Sequence, residues 1–293
     1  MPTLQQVSRL SLKNILFPTD FSPASAAALP FARTLAEMYG STILVAHAIP
    51  PEPHLQVVLD RVPAQDEAVW QDARHKFEAF LHGCSFGTSP WKPILDRGDL
   101  AELIPSMIDE QEIDLIVLGT HGRRGVSKMI LGSSAEKVYR SASCPVLTVG
   151  PRAHDEGAWK VRRILCPLDS AEDPGPVLHY ALSLAEENQS EIIVLQAAPL
   201  APWQHRSGIE ERSRRALEGL IPESAKDWCT PDVVVRWEYP AEAILREAQV
   251  RNADLIVMSV HKARVSSWSA HLPWPVASEV VSLAHCPVLT IRV

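Results

Sequence analysis

The sequence is poor in the features that mark secreted, membrane-spanning and nucleic-acid-binding proteins. Its 293 residues include only five cysteines, an odd number without a C-x-x-C pair, which argues against a disulfide framework or a zinc site and favours a reducing cytoplasm. No apolar run reaches the ~18 residues that a membrane span requires, and residues 1–14 do not have the pattern of a signal peptide. The net charge of −7 gives no bulk attraction to nucleic acid. We therefore expect a soluble, cytoplasmic protein without a nucleic-acid or membrane partner.

The common phosphate-binding motifs are also missing, since the chain has no G-x-x-x-x-G-K-[ST] and its glycines do not fit G-x-G-x-x-G. It has instead a different glycine-bearing stretch, DLIVLGTHGRRGVSKMILGS, from Asp114 to Ser133. An apolar run predicts a buried strand, and a helix is predicted after the glycines. Glycines let backbone N–H groups approach an anion, and a helix N-terminus adds partial positive charge. The stretch therefore predicts a phosphate-binding loop, with an ordinary turn between strand and helix as the alternative.

Strand and helix patterns alternate along the first half of the chain. Their order predicts an α/β fold with a parallel sheet and right-handed crossovers. Ser22 and Pro23 suit the start of the first helix, which is expected to run to Tyr39. The predicted strands are 13–18, 42–48, 92–96, 114–118 and 145–149, and the other predicted helices are 64–82, 100–112 and 133–141.

The pattern then repeats. Ile15 is matched by Ile164, an offset of 164 − 15 = 149, and the same offset brings Ser41 onto Ser190. Further on, DLIV recurs at 254–257 and the Cys-Pro-Val-Leu-Thr run of 144–148 recurs at 286–290. The sequence therefore predicts two copies of one domain. Their expected extents are 1–150 and 161–293, joined by a linker at 151–160.

The glycine loop differs between the copies. Gly119 is replaced by Ser259 and Gly122 by Lys262, while Trp274-Pro275 stands where the first copy has Gly132-Ser133. A proline removes an N–H donor, and tryptophans are poor material for a phosphate cradle. The second copy is therefore expected to keep the fold without the phosphate-binding loop.

The spacing Gly119-x2-Gly122-x9-Gly132-Ser133 resembles the ATP-binding signature of the universal stress protein family. The runs Phe17–Asp20 and Cys144–Val149 resemble the same family. The resemblance implies tandem, doubly wound, parallel five-stranded sheets of order 3-2-1-4-5, Rossmann-like and of the adenine nucleotide alpha hydrolase type. It also implies a stress-response protein with ATP in its first domain. ADP and AMP are alternative ligands, and Mg²⁺ binding together with the phosphates is left open.

The resemblance also implies the nucleotide contacts. The residues expected to hold the adenosine are Pro18, Thr19, Asp20 and Ala48, and those expected to hold the phosphates are Gly119, His121, Gly122, Arg123, Gly132, Ser133 and Ser134. Alternatives stay open for several of them. Asp20 also suits the start of the first helix. His121 recurs as His261 in the altered copy, so a structural role for His121 is at least as well supported as a phosphate contact. Arg123, with Arg124 and Lys128, also suits a solvated basic loop.

Three functions compete for this chain. The first is a nucleotide-binding regulatory protein. The second is an enzyme, but ATP pyrophosphatases and nucleotidyl transferases of related fold need a Ser-Gly-Gly loop or a His-x-Gly-His motif, and Pro-Thr-Asp-Phe-Ser follows strand one instead. No catalytic or metal-binding cluster stands beside the loop, so at most slow ATP hydrolysis is expected. The third is a ligand-free interaction module, which suits the second copy.

The last strand of each copy is predicted to lie at a sheet edge, where unpaired backbone groups invite pairing. These strands are 145–149 and 287–293. We therefore expect an intramolecular pseudo-dimer of the two domains. Further homodimerisation and an unidentified protein partner are left open.

Overall fold

The computed structural model describes residues 10–50, 63–120, 137–139, 141–153, 159–169, 173–198, 206–260 and 273–292. These residues form two compact units. The first unit comprises residues 12–119 and 137–144. The second unit comprises residues 145–292 together with 10, 11 and 120. The strand at 146–149 thus belongs to the second unit.

The first unit is a parallel sheet with strand order β3-β2-β1-β4. Its strands are β1 (Asn14–Pro18), β2 (Thr42–Ile49), β3 (Trp91–Arg97) and β4 (Leu115–Gly119). Its helices are α1 (Pro23–Ala26), α2 (Leu29–Tyr39), α3 (Pro63–Gly83) and α4 (Leu100–Gln111), and residues 137–139 and 141 are also helical.

The single helix expected from Pro23 to Tyr39 is wrong in one respect, because it is broken after Ala26. Pro30 has no N–H to donate to the preceding turn, and it lies in the first turn of α2, where this loss is tolerated. Ser22 caps α1 as predicted, since its hydroxyl accepts from the backbone N–H of Ser25 at 3.1 Å. The result is a very short helix directly after β1.

The second unit is a sheet of order β5-β10-β9-β6-β7-β8, parallel except that β5 runs antiparallel to β10. Its strands are β5 (Val146–Val149), β6 (Arg163–Pro167), β7 (Glu191–Ala198), β8 (Asp232–Trp237), β9 (Leu255–Val260) and β10 (Val288–Arg292). Its helices are α5 (Gly175–Asn188), α6 (Arg206–Glu218), α7 (Pro240–Arg251) and α8 (Pro273–Leu283), with a 3₁₀ helix at Glu223–Asp227.

The repeat in the sequence is a repeat in the structure. The carboxylate of Asp114 accepts from the backbone N–H of Asn14 at 3.0 Å, and that of Asp254 accepts from the N–H of Arg163 at 2.9 Å. Each aspartate thus satisfies a backbone donor at the start of the central strand of its own unit, which explains why both DLIV runs begin with this residue. The predicted fold class, tandem α/β domains built on parallel strands, is confirmed.

All five cysteines are free thiols. Burial raises the pKa of Cys144, Cys166 and Cys286 to about 12 in each case. A thiol with such a pKa is almost wholly protonated at neutral pH and reacts poorly. These three thiols are therefore expected to be inert in the folded protein.

Candidate functional site

Neighbouring parallel strands bring several of the predicted site residues to one edge of the first unit. In register, Pro18 of β1 pairs with Ala46 of β2, and Leu16 of β1 pairs with Ile116 of β4. The carboxyl ends of these strands therefore meet at one edge, which is where open α/β sheets bind ligands. The residues at this edge are Pro18, Thr19, Asp20, Ala48 and Gly119, which we call the strand-end cluster.

The turn after β1 is held by a chain of hydrogen bonds. The Ser25 hydroxyl donates to the carbonyl oxygen of Ser22 at 2.9 Å, so its single hydrogen is already used. The Thr19 hydroxyl, 3.0 Å from the Ser25 hydroxyl, must therefore be the donor of that pair, while it accepts from the N–H of Phe21 at 3.0 Å. Both hydroxyls are buried. The turn is thus fixed from inside by side chains that the second unit does not have, since Leu168 and Pro174 stand at the matching positions.

Asp20 is the exposed residue of this turn. One of its carboxylate oxygens accepts from the N–H of Ser22 at 3.0 Å. Asp20 therefore supports the turn without being the helix cap, because Ser22 takes that role. A carboxylate has about four lone-pair positions, so it can accept from more than one donor.

Phe21 adopts a left-handed backbone conformation with φ of 64°. For a residue other than glycine this conformation costs about 1–2 kcal/mol, so the surrounding contacts must offset it. The Phe21 ring stacks on His47 with 4.0 Å between ring centroids. It also lies 5.5 Å from Phe80 and 5.9 Å from Phe77, both on α3. Aromatic contacts at these separations are favourable.

His47 connects β2 to the turn after β1. Its Nδ1 lies 2.8 Å from the carbonyl oxygen of Thr19, which can only accept, so Nδ1 carries the hydrogen. Burial lowers the pKa of the His47 imidazole, and the bond to Thr19 and the charge of Asp20 offset this only in part. The ring is therefore neutral at neutral pH, with Nε2 unprotonated.

Gly119 ends β4 where α1 comes closest. A Cβ atom at this position would lie 2.0 Å from the carbonyl oxygen of Ala24, well inside contact distance. The glycine is thus required by helix packing as well as by its expected place in the nucleotide signature. In the second unit Ser259 occupies the matching position, and the residues matching Ala24 and Ser25, Asp173 and Pro174, are not helical.

The predicted loop residues His121, Gly122, Arg123, Gly132, Ser133 and Ser134 lie outside the described residues. His47 is not among the site residues that the sequence predicts, although it is half-buried beside the strand-end cluster. The signal available was its position directly before Ala48, at the end of a predicted strand. Phe21 is also absent from the predicted site, because its stacking partner His47 is remote in sequence.

The second unit has a cavity of about 510 Å³ at the edge of its sheet where the strands begin. It lies between the starts of β7 and β8 and the end of α7. Its two arginines already have acidic partners: Arg163 lies 3.3 Å from Glu191, and Arg251 lies 2.8 Å from Asp232. In each pair the positive and negative charges cancel, so these side chains leave no excess charge that would select an anion.

Within the described ranges, no group of three or more His, Cys, Asp or Glu side chains is arranged to hold a metal ion. The described helices are all too short or too polar to cross a membrane.

The strand orders of the two units define a tandem α/β protein built on largely parallel sheets. The sequence profile of the universal stress protein family matches residues 11–150 and again 160–292. The chain therefore belongs to the universal stress protein family.

Relatives agree with this assignment. A universal stress protein of Thermus aquaticus is 32% identical over 143 residues, which are 47% of this chain and 98% of that protein. One from Mycolicibacterium smegmatis is 25% identical over 311 aligned positions, which span 95% of this chain and 96% of that protein. The crystal structure of a universal stress protein from Archaeoglobus fulgidus has the same fold, with a TM-score of 0.63 at 18% identity, and covers 95% of this chain and 98% of that one.

Proposed function

We propose that this universal stress protein binds ATP in its first repeat and acts as a nucleotide-dependent regulator of a stress response. The observation that carries the proposal is the strand-end cluster. It gathers Thr19, Asp20 and Ala48 at the edge from which the glycine signature departs at Gly119. In this arrangement Asp20 accepts hydrogen bonds from ribose hydroxyls, and the loop N–H groups hold the phosphates.

The difference between the repeats supports a single site. The first unit has the buried hydroxyl pair of Thr19 and Ser25, with α1 packed against Gly119. In the second unit Leu168 and Pro174 replace Thr19 and Ser25, so both hydroxyls of this pair are absent, and Ser259 replaces Gly119. Its loop sequence has lost the glycines that admit phosphate. The second repeat then serves as a structural or partner-binding half, and we propose an intramolecular pseudo-dimer that is open to further homodimerisation.

Regulation is a better proposal than efficient catalysis. Among the described residues no carboxylate cluster is arranged to hold Mg²⁺ for a phosphoryl transfer. Slow hydrolysis is the alternative, in which case bound ADP would accumulate. The five free thiols, of which Cys166 and Cys286 are buried, support a reducing cytoplasm as the place where the protein acts.

The first test is to identify the nucleotide that copurifies. Protein purified without added nucleotide is denatured and its supernatant is read by mass spectrometry. ATP in the extract is the expected result, and ADP would favour the slow hydrolase.

The second test is Gly122→Val. A β-branched side chain fills the space that a phosphate needs and resists positive φ, so this variant should lose ATP while keeping its circular dichroism spectrum. Val250→Ala is the control, because Val250 is exposed at the amino edge of the second unit, and it should bind ATP like the unaltered protein. Unchanged affinity in a folded Gly122→Val protein would remove the loop from the site.

A further inference from the structure

His47 contacts three elements of the first unit at once. It belongs to β2, its Nδ1–H donates to the carbonyl oxygen of Thr19 on the turn after β1, and its ring stacks on Phe21 of the same turn. The third element is α3, whose Phe77 ring centroid lies 6.1 Å from that of His47 and 5.9 Å from that of Phe21. The imidazole is therefore a cross-strand brace for the turn that presents Asp20.

The brace is confined to the first repeat. With the offset of 149, His47 is matched by Gln196 and Phe21 by Ser170. A glutamine can donate a hydrogen bond, but it neither titrates nor stacks as an aromatic ring. The repeat that keeps the glycine signature is thus the repeat that has the histidine and the phenylalanine.

The turn needs such a brace because its conformation is strained. Phe21 is left-handed, and this strain is tolerated only if surrounding contacts hold the residue in place. The carbonyl of Thr19 and the ring of Phe21 flank Asp20 in sequence, and His47 contacts both. Release of the imidazole would free the turn on either side of the aspartate.

We propose that His47 is a positioning residue for nucleotide binding, whose neutral ring holds the Thr19–Phe21 turn in the conformation that presents Asp20. This inference rests on the proposed ATP site. It adds a residue that is not expected to touch the nucleotide and a pH dependence that the site would otherwise not have.

The pH dependence follows from the surroundings of the ring. The charged group that acts on it is Asp20, on the turn, while the α3 side chain in ring contact with it is the uncharged phenyl group of Phe77. Burial lowers the pKa of His47 more than the hydrogen bond to Thr19 and the charge of Asp20 together raise it. A proton gained in acid therefore draws the ring towards water and away from the cluster, and the turn loosens.

Two variants and one control test the proposal in the full chain. His47→Ala removes the bond and the stack, whereas His47→Gln reproduces the residue of the second repeat and keeps a donor. His75→Gln is the control, because His75 is an exposed histidine on α3. Amide exchange of Phe21 and Ser22 is measured without nucleotide at pH 7.5 and at a series of lower pH values at which circular dichroism shows the chain folded. The Ile116 amide in β4 is the reference for global unfolding. ATP affinity is measured by calorimetry at the same pH values.

At pH 7.5 we expect exchange at Phe21 and Ser22 to rise about tenfold in His47→Ala relative to Ile116, and ATP affinity to fall about tenfold. One hydrogen bond and one ring contact together correspond to a factor of this order. The exchange rates and ATP affinity of His47→Gln should lie between those of the unaltered protein and His47→Ala. Those of His75→Gln should equal the values of the unaltered protein. The affinity ratio of the unaltered protein to His47→Gln should fall towards one as the pH is lowered through the pKa of His47. Titration of the nucleotide itself cancels in this ratio.

Unchanged exchange in His47→Ala, or an affinity ratio independent of pH, would overturn the proposal. If the unaltered protein binds no ATP, the proposed function fails. The exchange data then still decide whether His47 holds the turn.

Discussion

Gly119 and Ala24 lie so close that no side chain fits between them: a Cβ on residue 119 would be 2.0 Å from the Ala24 carbonyl oxygen. The contact joins the end of β4 to α1, the short helix that follows the Asp20 turn. A residue expected from its place in a nucleotide signature is therefore also a packing residue, and both requirements select glycine.

Gly119→Ala should destabilise the first unit, because the new methyl group must push α1 away. Overpacking of this kind costs about 1–3 kcal/mol, which urea unfolding followed by circular dichroism can measure. The matched control is Gly208→Ala in α6, where the nearest atom to the added Cβ is the end of Arg212 at 3.7 Å. That change should be neutral or stabilise by up to about 1 kcal/mol. Equal effects at the two sites would contradict the packing role of Gly119.

The thiols should be unreactive in the folded protein. Burial raises the pKa of Cys166 and Cys286 to about 12 and that of Cys229 to about 11, so the nucleophilic thiolate is scarce at pH 8. Folded protein treated with iodoacetamide should stay unlabelled at these positions, while denatured protein should gain one label on each of its five cysteines. Rapid labelling of Cys166 in folded protein would show that the core of the second unit opens readily.

The antiparallel pairing of β5 with β10 should contribute to stability through Thr290. In this pairing Leu147 lies opposite Leu289, and the buried Thr290 hydroxyl donates to the carbonyl oxygen of Val146 at 3.1 Å. Thr290→Val keeps the shape and removes the donor, so it should cost about 1 kcal/mol. Thr230→Val, at an exposed threonine, is the control.

Amide exchange gives an independent measure of the same pairing. The amides of Leu147 and Thr148 should exchange slowly in the full chain and faster in Thr290→Val. Exchange at these amides as fast as at the chain's exposed loops would contradict the pairing, and with it the proposal of an internal pseudo-dimer.

Much of the fold was predictable because local sequence determines it. Apolar runs such as Ile15–Phe17 form buried strands whichever strand pairs with them. The repetition of DLIV shows where the central strand of the second unit begins, because its Asp254 binds the N–H of Arg163. Ser22 was predictable as a cap because capping acts over a few residues.

The contacts around the strand-end cluster were less predictable, since they join residues remote in sequence. Nothing near His47 in the sequence indicates that its ring meets Thr19 and Phe21, which are reached only when β1 and β2 pair. The approach of Ala24 to Gly119 likewise depends on the packing of α1 against β4. The resemblance predicted that Thr19, Asp20 and Gly119 share a site, and their role in binding a nucleotide stays a prediction.

Calorimetric titration of the full chain with ATP tests the central claim most directly. The account predicts saturable binding with a stoichiometry near one per chain, because the first repeat has the glycine signature and the strand-end cluster, whereas the second has Ser259, Lys262 and Pro275 at the matching positions. A stoichiometry near two would show that the altered repeat also binds nucleotide. The absence of binding to nucleotide-stripped, folded protein would contradict the proposed function.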